Sequence, residues 1–315
     1  MEERYSEGMR DLKDEVEGDL VSIVIPTYNR SDILKTTIDS ALRQTYKNIE
    51  VIVVDDGSTD NTEEICVEYG VKIRYFRKPN GGTASALNYG IKIMQGSWFK
   101  WLSSDDVLNP EAVEKLVNAA KISKCKIIYS DFDQIDENDN YISTFREHHC
   151  TDYYEFAARL LDNFVANGST ILIHRSCFDT VGLFDENLRT SEDYDWWLRA
   201  CLVHRYMFWH VPEILLKYRR HAQQLTSEID TSNEKSRSVK TTWYQIRKKT
   251  RRQIIASDKK HWHEIYSHYI DYQSHKSLGR RIRGLIRRML IHLGPEREEQ
   301  ITDFYLKLRY GEDRT

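Results

Sequence analysis

The chain has 315 residues, with 46 Lys and Arg against 49 Asp and Glu, for a formal net charge of −3. With 40% apolar and 30% charged residues it can bury a sizeable core, which excludes a disordered chain, and the near-neutral balance gives no global electrostatic footprint for nucleic acid. No apolar run approaches the ~18–20 residues of a membrane-spanning helix, and five scattered cysteines without a CxxC suit reduced thiols in a cytosolic protein.

Residues 1–19 form an acidic N-terminal segment, with eight acids against three bases and no apolar stretch of the kind a signal peptide carries. At residue 21 the pattern changes. VSIVI (21–25) is a β-branched run closed by Pro26, as expected of a buried strand. Ser31 or Asp32 can cap the helix that follows, where Ile33, Leu34, Ile38, Ala41 and Leu42 recur at helical spacing. IEVIVVDD (49–56) is a second apolar strand ending on two acids. A helix through Ile65 and Val67, a strand over 71–76, a helix at roughly 83–95 and the strand WFKWL (98–102) follow. Asn109-Pro110 opens another helix, with Pro at its favoured first position, and KIIYS (126–130) is a fifth strand.

Strands alternating with ten-to-fifteen-residue helices predict an α/β fold with a mostly parallel central sheet flanked by helices. Ligands of such sheets sit outside the carboxyl ends of the strands. The polar clusters of this chain fall at those ends: Thr27-Tyr28-Asn29, Asp55-Asp56 and Ser104-Asp105-Asp106. Carboxylates gathered in a crevice repel one another unless a cation or donors compensate them. Either these acids form a platform for a divalent ion and a diphosphate, or they cap the helices that follow.

The order of motifs bears on that choice. VSIVIPTYNR, IEVIVVDDGSTDNT, NGGTASALNYGI, WLSSDDVLNP and SEDYDWWLR, spread over about residues 20–225, resemble the inverting family-2 glycosyltransferases of the Rossmann-like GT-A fold. The resemblance implies a nucleoside-diphosphate sugar as donor, with UDP favoured, and a glycan or lipid-linked glycan hydroxyl as acceptor. Pro26, Thr27 and Tyr28 match the first-strand segment that borders the base, and Asp56 the acceptor of a hydrogen bond from it. Asp105 matches the ribose contact and Asp106 the metal-binding acid, with Mn²⁺ or Mg²⁺ as the ion and His221 closing its shell. Asn80, Gly81 and Gly82 precede a helix whose N-terminus suits a diphosphate, and Gly168 matches a glycine loop beside the donor sugar. Asp193 matches the general base and Glu192 a residue that positions it, with Asp195 a competitor two residues on. Two positions depart from the family pattern: Ser103 stands where an aspartate is common, and Leu87 where many relatives carry arginine.

These motifs divide the chain into the acidic segment 1–19, a catalytic domain over 20–225 and a helical, basic region over 226–315. In the last, residues 276–292 carry an apolar stripe beside five arginines. The stripe either packs on the catalytic domain or a second subunit, or lies at the inner face of a membrane with its arginines on anionic head groups. His261, His263, His268 and His275 fall among Trp and Tyr, a pattern that suits aromatic packing better than a metal. Two rivals to the transferase remain: a sugar-phosphate nucleotidyltransferase, whose Gly-rich loop after the first strand is missing here, and a binding module that has lost its chemistry.

Overall fold

The computed structural model describes residues 19–162, 166–221, 224 and 234–274. The acidic segment up to residue 18 and the basic stripe 276–292 lie outside the described residues. The chain divides into two compact units, residues 1–151 with 165–229 and residues 152–164 with 230–315. The second unit therefore takes in a mid-chain segment as well as the C-terminal region.

The first unit opens with β1 (Val21–Thr27), α1 (Leu34–Leu42), β2 (Ile49–Asp55), α2 (Thr62–Glu68), β3 (Arg74–Arg77), α3 (Thr83–Ile93) and β4 (Trp98–Trp101). It continues through β5 (Val107–Leu108), α4 (Ala112–Ser123), β6 (Ile127–Ile135) and β7 (Tyr141–Phe145). After the second unit's α5 (Tyr153–Asp162) come β8 (Leu172–His174), α6 (Ser176–Val181), α7 (Glu192–Leu198) and β9 (Phe208–Arg219). One sheet runs β3-β2-β1-β4-β8-β6-β9-β5, with β7 added on β6.

β1 is buried along its whole length because both faces are covered. On one face Ile23 and Ile25 pack with Leu34 and Ile38 of α1 and with Leu116 and Val117 of α4. On the other, α3 approaches so closely that a Cβ on Gly90 would lie 2.4 Å from Val24 Cγ1, which only glycine avoids. Farther along that face the rings of Phe99, Trp101, Phe178, Phe184, Trp196 and Trp197 meet edge-to-face or tilted at centroid distances of 5.3–6.4 Å. Each such ring contributes ~1.5–3 kcal/mol through burial, so this cluster fixes the elements that carry it.

The central sheet of this α/β fold is mixed. β1–β2, β1–β4, β2–β3 and β6–β9 are parallel, but β8 runs antiparallel to β4 and β6, as do β7 to β6 and β5 to β9. Local structure departs from expectation in places. Residues 70–72 are a 3₁₀ turn, which shortens the strand expected at 71–76, and residues 168–170 are another. α1 starts beyond Ser31 and Asp32 without a side-chain cap, and Pro110 precedes α4 rather than opening it.

In the second unit α5 packs on the long α8 (Glu234–Ser274). Tyr154 donates to Glu264 at 2.5 Å and stacks on His268, while the Tyr153 hydroxyl lies 3.1 Å from His261 Nε2. These histidines belong to aromatic packing. Asp258 breaks α8 (φ −149°, ψ 85°), and its Oδ1 accepts the His261 N–H at 2.9 Å, capping the second half. Among the described residues no helix is long and apolar enough to cross a membrane. Burial pushes the thiols of Cys66 and Cys177 up to about 12.

Candidate active site

The carboxyl ends of β1 and β2 form one wall. The Asp56 N–H donates to the Thr27 carbonyl at 2.8 Å, which carries the β1–β2 pairing past the strands. Tyr28, 46% exposed, is the open ring of this wall. Asn29 holds a left-handed backbone (φ 50°), and its Oδ1 accepts the Thr59 N–H while its own N–H reaches Ser58 Oγ. Asp55 is enclosed and accepts from Tyr75 and the Ser58 N–H. Asp60 Oδ1 accepts the N–H of Thr62, the first residue of α2, at 3.1 Å.

Asp56 is not an open acceptor. Its Oδ1 takes Lys78 Nζ at 2.6 Å and the Gly81 N–H at 3.0 Å, and its Oδ2 takes the Gly82 N–H at 2.6 Å. A carboxylate has about four acceptor positions, so the expected contact with a base meets a group already engaged by its own chain. Asp56 instead ties the Asn80-Gly81-Gly82 loop and the start of α3 to the wall. Gly82, at φ 87°, makes the turn. The first amides ahead of α3, expected to face a diphosphate, are thus turned onto Asp56.

At the end of β4, Thr37 of α1 donates to the carbonyls of Ser104 and Asp106 and holds this segment against the helix. The two acids then part. Asp106 is 0% exposed, with Oδ1 on the Arg219 N–H at 3.0 Å and Oδ2 unpartnered, and burial raises its pKa well above the ordinary value. Asp105 is half-buried, and its Oδ2 lies 3.1 Å from His221 Nε2. His221 was expected to join Asp106 at the ion. The structure pairs it with Asp105, because one step along the chain turns the Asp106 carboxylate into the core. Lys100, also 0% exposed, sits beneath, bonded to the Trp101 and Ser169 carbonyls. Burial, opposed only in part by Asp106, lowers its pKa to about 7.

Ser169 ties this floor to the segment after β4. Its Oγ accepts the Ser103 N–H at 2.9 Å and contacts Ser103 Oγ at 3.0 Å. The serine at 103 therefore makes a seam where an aspartate was expected. Beside it Gly168 lies flat on Trp101, so that a Cβ there would sit 2.7 Å from the ring. Ser191, at φ 66°, turns the chain into α7, a conformation costing of order 1–3 kcal/mol that often marks functional sites. Glu192 and Asp193 follow. Burial raises the pKa of both, and the charge of Asp193 raises that of Glu192 further. Asp193 Oδ1 accepts the Tyr194 N–H at 2.7 Å. Asp195 turns away, 2.7 Å from Arg199 Nε, and Arg199 in turn holds the carbonyls of Val181 and Leu183. Asp195 thereby pins this loop.

The Asp105–His221 pair fits a hard divalent ion: one carboxylate and one imidazole, partly open, leaving the remaining positions to water and phosphate oxygens. Lys78, Lys100 and Arg219 were missed in the sequence. The signal for Lys100 was there, a single charge inside the apolar run WFKWL, which has to be satisfied if the strand is buried.

Residues 22–182 match the model of the family described as "Glycosyl transferase family 2". A glycosyltransferase of Rickettsia typhi is 38% identical over 260 residues, 81% of this chain and 80% of that protein. One from Rickettsia bellii is 42% identical over 232 residues, which span 72% of this chain but 33% of that longer protein. Among solved structures, Staphylococcus aureus TarS residues 1–349 in complex with UDP-GlcNAc superposes with a TM-score of 0.64 at 19% identity, covering 82% of this chain and 73% of that one.

Proposed function

The chain belongs to glycosyltransferase family 2 and is a glycosyltransferase of GT-A fold, and from that premise we propose that it transfers a sugar from a UDP-sugar to an acceptor hydroxyl with inversion. The observation that carries the reading is the Asp105–His221 pair beyond the ends of β4 and β9, a cation-type pair, with a raised carboxyl pair, Glu192 and Asp193, at the head of α7. Support for a nucleoside diphosphate comes from the exposed ring of Tyr28 on the β1 wall, beside Pro26 and Thr27, and from the UDP-GlcNAc complex of the TarS relative.

Asp193 acts as the general base. It takes the acceptor hydroxyl proton as that oxygen bonds to the anomeric carbon from the face opposite the departing diphosphate. The bond from the anomeric carbon to the phosphate oxygen breaks with its electron pair, and UDP leaves. A raised pKa suits a base that must hold the proton during transfer. The charge of Asp193 in turn keeps the Glu192 carboxyl raised, so that Glu192 stands beside the base as its neutral neighbour. Gly168 and the Ser103–Ser169 seam border the sugar, and Asp56 fixes the Asn80-Gly81-Gly82 loop rather than reading the base. Mn²⁺ or Mg²⁺ held by Asp105 and His221 would supply Lewis-acid stabilisation to the leaving diphosphate. Asp106 supports this pair from beneath. The acceptor is a glycan or lipid-linked glycan, and residues 276–292 are the candidate membrane contact.

Asp193→Asn keeps the shape and removes the base. UDP binding should stay at the wild-type value while sugar transfer, or slow hydrolysis of the UDP-sugar, falls ~10²–10⁴-fold. Unchanged turnover would remove Asp193 from the mechanism, and turnover missing from the wild type with UDP still bound would favour the binding-module reading.

A further inference from the structure

We infer that Arg219 is the positioning residue of the Asp105–His221 pair and couples it to the β6–β7 turn, an inference that rests on the assignment of that pair to a divalent cation. Arg219 ends β9 and is 3% exposed. Its backbone N–H goes to Asp106 Oδ1, and its Nε donates to the Asp105 carbonyl at 3.0 Å. The rest of the guanidinium reaches the turn: one nitrogen to the carbonyls of Asp136 and Glu137 at 3.2 and 3.4 Å, the other to Asp139 Oδ1 at 2.8 Å. Arg219 also sets the other ligand. Its carbonyl accepts from Gln224 Nε2, while Gln224 Oε1 accepts the His221 N–H and the Gln224 N–H returns to the His221 carbonyl.

The Arg219 side chain therefore holds the backbone of Asp105, while its main chain holds Asp106 and, through Gln224, the backbone of His221. The turn it grips is itself fixed. Asp136 Oδ1 accepts the N–H groups of Asn138 and Asn140 at 2.8 and 2.9 Å, and Asp139 takes a left-handed backbone (φ 67°) that aims its carboxylate at Arg219. The planar fork of arginine satisfies carbonyls on two segments and a carboxylate at once, a geometry the point charge of lysine does not reproduce. Groups that orient metal ligands typically change metal affinity by 10–100-fold when removed. A guanidinium cannot itself ligate a cation, so any effect of replacing Arg219 on cation affinity passes through Asp105 and His221.

The experiment is Mn²⁺ titration of the full chain without nucleotide, read from the electron paramagnetic resonance signal of free Mn²⁺, with far-UV circular dichroism and Tm recorded for every variant. Asp105→Asn should abolish binding. Arg219→Lys and Arg219→Gln should weaken it about 10–100-fold. Asp139→Ala, a change at a largely exposed carboxylate, should weaken it about two- to fivefold. A purely structural role would lower Tm in the Arg219 variants and leave the Mn²⁺ Kd of the folded protein alone. If Asp105→Asn abolishes binding while folded Arg219→Lys and Asp139→Ala bind Mn²⁺ like the wild type, the positioning role is overturned and the cation assignment stands. Should the Arg219 variants fail to fold, Asp139→Ala decides alone, and an unchanged Kd overturns the coupling. Wild-type affinity in Asp105→Asn overturns the cation assignment and this inference with it.

Discussion

Replacing Asp56 by alanine tests whether this residue organises the donor side through its own chain. The carboxylate is 4% exposed and receives three donors, Lys78 Nζ at 2.6 Å, the Gly81 N–H at 3.0 Å and the Gly82 N–H at 2.6 Å. A hydrogen bond to a charged group contributes ~1.5–3 kcal/mol, so three would give ~4.5–9 kcal/mol if all were sealed from water. They are not sealed. Gly81 and Gly82 are exposed, and Lys78 keeps the Pro79 carbonyl at 2.7 Å. With solvent replacing most of the glycine contacts, the expected loss is about 2–4 kcal/mol. Denaturant unfolding followed by tryptophan fluorescence measures it, and a cycle with Lys78→Met should return a coupling of about 1–2 kcal/mol. UDP affinity should fall with the loss of the anchored loop. A stability change under about 0.5 kcal/mol with UDP affinity unchanged would refute the reasoning.

Three further outcomes follow from the same geometry. The acid limb of kcat/KM should lie above the ordinary carboxylate pKa of ~3.9, because burial raises Asp193 and only its ionised form accepts the proton; activity is lost as pH falls through that limb, and a limb at or below the ordinary value would contradict the assignment. Lys100 has a folded pKa of about 7, below its unfolded ~10.4, so the unfolded chain binds more protons between these values and stability rises with pH across the window. Lys100→Met should lack this rise when denaturation midpoints are compared at pH 7 and 9.5, and parallel pH curves for the two proteins would contradict it. Gly168→Ala would place a methyl 2.7 Å from the Trp101 ring and should destabilise the protein by about 1–3 kcal/mol, read as a fall in Tm, with an unshifted Tm showing that the loop has room.

The parallel half of the fold was legible because VSIVI, IEVIVVD and WFKW are uninterrupted apolar runs. The reversed strand β8 was not, since an apolar run carries no sign of direction; its antiparallel pairing depends on β4 and β6, distant in sequence. β9 escaped notice because Pro212, Glu213, Lys217 and Arg219 interrupt its pattern. The candidate site was legible in composition but not in geometry. The two carboxylates of SSDD read alike in sequence, and only the contacts of Thr37 and Arg219 decide that Asp106 points inward and Asp105 toward His221. Likewise, the donors that occupy Asp56 lie 22 or more residues away along the chain. Asp193 and Asp195 are separated by a partner: Arg199 claims the second and leaves the first at the head of α7.

A nucleotide crevice that works with a cation is tested most directly by the thermal stability of the wild-type protein with UDP, GDP, CDP and dTDP, each with and without Mn²⁺. A ligand at 100 times its Kd adds ~2.7 kcal/mol to native stability, which a thermal scan resolves easily. The predicted result is a rise with UDP that requires Mn²⁺ and is lost in Asp105→Asn. A UDP response indifferent to Mn²⁺, or no response to any nucleotide, would contradict it.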